Sequence, residues 1–66
     1  MRVIVNGKPR DLDEAITILD FLQQHDINPA IVAVEHNGDI VRRERFPSVA
    51  IHEGDTLEIV HMVGGG

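Results

Sequence analysis

Residues 53–66 read EGDTLEIVHMVGGG. Within this stretch Leu57, Ile59 and His61 alternate with Glu58, Val60 and Met62, the period of a β-strand. Glu53-Gly54-Asp55 supplies a turn before it. A strand near 56–63 therefore runs straight into Gly64, Gly65 and Gly66. Glycine has the most backbone freedom to lose on ordering. The pattern predicts a folded domain over 1–63 and a flexible tail over 64–66.

Outward from that strand, the rest of the chain supplies its neighbours. RVIV and KPRDL are joined by Asn6-Gly7. Asn-Gly between β-prone runs marks a tight hairpin, because both central residues of a type I′ turn need positive φ. Strands are predicted near 1–6 and 8–12. Val3 and Val5 face one side, Arg2 and Ile4 the other. Pro9 lacks a backbone donor, which puts the second strand at an edge. Helical spacing appears in one place, at Ile18, Leu19, Phe21 and Leu22. Thr17 stands at the N-cap with Asp20 in a capping-box-like position, and Pro29 pushes its predecessor out of the helical region. A helix is predicted over roughly 17–25. AIVAVEHNGDIV is a second hairpin-like unit turning at Asn37-Gly38. RRERFPS is polar, one helical turn with Phe46 as its anchor. One helix over one face of a mixed four- to five-stranded sheet is an α+β two-layer domain. The element order suits a ubiquitin-like β-grasp, the last strand lying parallel beside the first in the middle of the sheet.

Composition narrows the function. The chain has 66 residues and a net charge of −5. A domain near this size buries only about 60% of its unfolded surface, so its core is marginal. That core is aliphatic, since Phe21 and Phe46 are the only aromatic side chains besides histidine. An acidic surface disfavours phosphate backbones, so no nucleic acid is expected. It fits a partner presenting a basic surface. No apolar run approaches the roughly 20 residues of a membrane span, no signal-peptide core precedes the first turn, and no cysteine calls for an oxidising compartment. A cytoplasmic protein with no membrane contact is expected.

Little in the body of the chain suggests catalysis. His25, His36, His52 and His61 form no zinc spacing, so no metal is expected. No Ser/His/Asp set is visible, and the glycines precede no helix that could hold a phosphate. The expectation is a protein that is not an enzyme. If Leu57, Ile59 and His61 face the helix, Val60 and Met62 face away. Ile4 on the neighbouring strand then joins them, with Ala33 or Glu35 at the margin. An apolar patch of Ile4, Val60 and Met62, contiguous with the tail, reads as a partner-binding surface. The tail itself is a thread without side chains that fits a narrow channel. At its tip the Gly66 carboxylate is a poor electrophile until ATP activates it. The tail thus reads as a substrate for another protein's active site.

The opening VIVNG, the segment NGDIVRRERF and the closing EGDTLEIVHMVGGG together resemble the ubiquitin-like sulfur carriers, most closely the ThiS family of thiamine biosynthesis. The resemblance covers essentially the whole chain. Arg42 stands where family members often have proline, which touches only local loop shape. The resemblance implies that a ThiF-like adenylyltransferase activates the Gly66 carboxylate with ATP. Sulfur from a cysteine desulfurase or rhodanese-like donor then replaces the adenylate, leaving a thiocarboxylate for thiazole synthase. It implies that Gly65 and Gly66 are the functional pair and that Gly64 extends the thread. It also implies that the chain itself binds no cofactor and that ATP belongs to the partner.

The same features also suit other roles. A carrier for molybdopterin or another acceptor uses the same chemistry. A protein modifier joined to lysines does too, with Lys8 as the single lysine for chain formation. A plain interaction module differs in class: deleting Gly65 and Gly66 would leave its binding intact.

Overall fold

The computed structural model describes residues 1–62. Six principal elements follow in order: β1 (Arg2–Val5), β2 (Lys8–Asp11), α1 (Ile18–Gln24), β3 (Val32–His36), β4 (Asp39–Val41) and β5 (Thr56–His61). Short 3-10 turns occupy Pro29–Ile31 and Arg43–Arg45. The strands form one mixed sheet in the order β2-β1-β5-β3-β4. β1 and β5 are parallel at its centre, with Ile4 opposite Thr56 and Val5 opposite Leu57. The other pairings are antiparallel. No helix among the described residues is long and apolar enough to cross a membrane.

Both Asn-Gly turns form as the sequence predicts. Asn6 and Gly7 have φ of 52° and 80°, and Asn37 and Gly38 have 52° and 90°. These are left-handed values that asparagine tolerates and glycine adopts freely. Pro9 sits on β2, an edge strand, where its missing N–H costs no ladder bond.

α1 has seven residues, too few to be stable alone in water. Its ends and its packing hold it. Thr17 Oγ1 accepts the Asp20 N–H (3.1 Å), and Asp20 Oδ2 accepts the Thr17 N–H (3.2 Å). The Ile18 and Leu19 N–H groups donate to the Val49 and Phe46 carbonyls at 2.9 and 3.0 Å. The first turn therefore has its donors satisfied by its own cap and by the loop that follows β4. At the other end Asp26 turns left-handed (φ 56°), so the helix stops before the chain reaches Pro29.

α1 covers one face of the sheet. Ile18, Phe21 and Leu22 pack on Val3 and Val5 of β1, Val32 and Val34 of β3, and Leu57 and Ile59 of β5. Phe46 (1% exposed) and Ile51 close the core from the long β4–β5 connection. At roughly 25 cal/mol per Å² of apolar surface removed from water, this burial is the main stabilising term.

Candidate functional site

β5 carries the chain from the core out to residues 63–66, and side chains from both hairpin turns fix it in place. β1 ends at Val5, but Asn6 continues its ladder by other means. The Asn6 side-chain amide acts as a surrogate peptide: Oδ1 accepts the Ile59 N–H (2.7 Å) and Nδ2 donates to the Ile59 carbonyl (3.1 Å). Asn37 holds the start of the strand with one side-chain and one backbone group. Its Oδ1 accepts the Thr56 N–H (2.9 Å) and its own N–H donates to the Thr56 carbonyl (2.8 Å). The two turns thus clamp β5 near each end.

Asp55, just before β5, is buried at 8% exposure. Its carboxylate accepts from His36 Nε2 (2.7 Å), the His52 N–H (2.8 Å) and Asn37 Nδ2 (3.1 Å). Burial pushes the carboxyl upward, and the bonds from His36, His52 and Asn37 together outweigh it, holding Asp55 below the ordinary aspartate value. An ionised carboxylate only accepts, so His36 Nε2 carries the proton between them.

The histidines do not converge on a metal. His25 stacks on Phe21 at 4.2 Å between ring centroids and bonds the Phe21 carbonyl. His36 is tied to Asp55, while His52 and His61 are exposed. No cluster of metal-ligating side chains exists among the described residues. His61 shares the parity of Leu57 and Ile59, yet at the end of the strand it is exposed rather than packed.

The sheet face opposite α1 is uncovered among the described residues. Ile4, Val60 and Met62 all lie on it, 41%, 60% and 56% exposed. Register divides them. Val60 sits opposite Ala33, and the Met62 N–H donates to the Ile31 carbonyl (2.8 Å). Val60, Met62 and Ile31 therefore share one end of the face. Ile4 pairs with Thr56, four residues back along β5, or about 13 Å at the rise of a strand. Between them lie Glu58 and its cross-strand neighbour Glu35, like charges directly opposed. The apolar surface nearest the chain's exit is Val60, Met62 and Ile31; Ile4 stands apart from it. Gly64, Gly65 and Gly66 lie outside the described residues.

The fold and this exit define a class: a ubiquitin-like β-grasp domain whose central strand delivers a glycine sequence. The sequence model of the ThiS family matches residues 3–66, and the chain belongs to that family. The sulfur carrier protein ThiS of Bacillus subtilis is 44% identical over 50 residues, 76% of each chain. A crystal structure of the thiamine biosynthesis protein ThiS from Geobacter metallireducens superposes with a TM-score of 0.88 at 33% identity, covering 100% of both chains. The thiazole synthase of Paramagnetospirillum magneticum is 36% identical over all 66 residues of this chain. The chain spans 20% of that synthase, and 20% of its counterpart from Magnetococcus marinus.

Proposed function

We propose that this chain is a sulfur carrier of thiamine biosynthesis, a co-substrate rather than an enzyme, with its reactive group at Gly66. The observation that carries the reading is the ThiS-family match, which runs through Gly64, Gly65 and Gly66. A ThiF-like adenylyltransferase binds the glycine thread and ATP. A Gly66 carboxylate oxygen attacks the α-phosphorus, pyrophosphate leaves, and the acyl-adenylate forms. The outer sulfur of a persulfide, on a cysteine desulfurase or rhodanese-like donor, attacks the acyl carbon and AMP leaves. A thiol then reduces the acyl disulfide and frees the thiocarboxylate, which thiazole synthase takes as its sulfur source. The similarity of the whole chain to part of two thiazole synthases supports that last partner.

The division of labour follows from the chemistry. Activation needs ATP, which the adenylyltransferase binds, so the carrier itself needs no cofactor. Its part is to present an acyl group on a thread thin enough for two different active sites. Val60 and Met62, exposed where β5 leaves the core, are the contacts we assign to docking on these partners; Ile4 is a more distant contact on the same face. The cytoplasm, with its ATP and reduced sulfur donors, suits this cycle.

Gly65→Trp tests the reading. A bulky side chain in the thread should cut sulfur acceptance by roughly a hundredfold, the scale of a misplaced reacting group, without changing the fold. Normal acceptance by this variant would overturn the threaded-tail mechanism.

A further inference from the structure

The proposed cycle leaves one charged surface unassigned. Arg42, Arg43 and Arg45 bring half of the six lysines and arginines into four consecutive residues of a chain with net charge −5. Among the described residues the ion pairs are Arg2 with Asp11, and His36 and His52 with Asp55. None involves this cluster. Arg43 and Arg45 make only long contacts to neutral acceptors, the Ala30 carbonyl (3.5 Å) and Ser48 Oγ (3.4 Å).

Arg42 and Arg45 border an open groove of about 500 Å³ beside β4. Val41 and Val49, half-buried against the core, give it an apolar wall. Among the described residues Asp39 is the single carboxylate on its lining, and His36, also on the lining, is already engaged with Asp55. β4 is the last strand of the sheet. His36 and Asp39 flank the two-residue turn and form the first pair of the hairpin. Hydrogen-bonded and non-bonded pairs alternate from there, so the N–H and C=O of Ile40 point away from β3. No loop or side chain among the described residues takes them up. The groove thus offers an open strand edge, apolar side-chain contacts and two guanidinium groups that have no ion-pair partner among the described residues.

We propose that this groove binds an extended acidic segment of a partner protein, which pairs with the sheet edge at Ile40 and sets its carboxylates against Arg42 and Arg45. Strand addition supplies main-chain hydrogen bonds, and alternate side chains of the added strand meet the apolar wall. Charge complementarity sets the partner's sign. A single-stranded nucleic acid fits less well, because the described lining offers no Phe, Tyr or Trp on which bases could stack, and its one imidazole, His36, is engaged with Asp55. The proposal needs no sulfur chemistry and stands or falls apart from the carrier reading.

The test is an amide-resolved NMR titration of the whole chain with a short capped peptide of alternating glutamate and valine. The expected result is saturable shifts centred on Ile40, Val41 and Arg42, with slowed hydrogen exchange of the Ile40 amide. Affinity should fall with salt. The double variant Arg42→Glu, Arg45→Glu, whose changes are on exposed positions, should keep a native spectrum and bind roughly tenfold more weakly. Equal binding of a matching capped peptide of alternating lysine and valine, unchanged affinity in the double variant, or an Ile40 amide that exchanges as before would each overturn the proposal. So would stronger binding of oligothymidylate at the same amides.

Discussion

Leu57 and Val60 lie three residues apart on one strand and meet opposite surroundings. Leu57 is fully buried beneath α1; Val60 is 60% exposed on the open face. Both are apolar and β-prone, so composition cannot tell them apart. Parity along the strand does, together with the fact that one helix covers one face. The core side of β5 carries stability, and the exposed open side is the one we propose for partners. In a domain this small, that division leaves little stability in reserve.

Substitutions can break the comparison from its strongest side to its weakest. Leu57→Ala removes a packed side chain from a core that cannot collapse freely, and should cost about 2–5 kcal/mol in urea unfolding. A loss under about 1 kcal/mol would mean that the helix-side core is looser than its burial implies. Asp55→Ala should cost about 1–3 kcal/mol, because it strands the His52 N–H, His36 and Asn37 together.

The same carboxylate has a pH signature. A lowered native pKa adds stability above the ordinary aspartate value of about 3.9. That contribution disappears as pH falls below this value and through the native one. Asp55→Asn should therefore flatten the fall in stability below about pH 4, and an unchanged acid limb would show that Asp55 is not its source. Asn6→Ala loses two bonds to Ile59 and should cost about 1–2 kcal/mol. Val60→Asp should leave stability within about 0.5 kcal/mol while weakening binding to a ThiF-like adenylyltransferase by about tenfold or more. Unfolding of this last variant would reverse the assignment of the two faces.

Much of this division is legible in the sequence, and the gaps have physical causes. The turns at Asn6-Gly7 and Asn37-Gly38, the Thr17 cap and the Phe46 anchor depend on local chemistry, and each forms as predicted. Asparagine in a turn, however, also carries a side-chain amide. That Asn6 spends its amide on Ile59 is a contact across 53 positions, which no local pattern encodes. Asp55 is the same case: the turn is visible in Glu53-Gly54-Asp55, but the donors from His36 and Asn37 arrive from another hairpin.

Alternation also fixes which face a residue takes without fixing its place along the sheet. Ile4 and Val60 share a face as expected, yet register alone separates them by four positions of β5. The segment around Val49 and Ile51 shows no long period, because it is a connection whose role is set by what it caps. The Ile18 N–H finds the Val49 carbonyl, and the Ile51 N–H finds that of Ile16.

The most direct test of the account is the intact mass of the chain after incubation with ATP, a ThiF-like adenylyltransferase and a persulfide donor. The predicted result is a species heavier by the exchange of one oxygen for sulfur, mapped by fragmentation to Gly66 and absent without ATP. An unchanged mass, with the adenylyltransferase and donor proven active on another carrier, would contradict it.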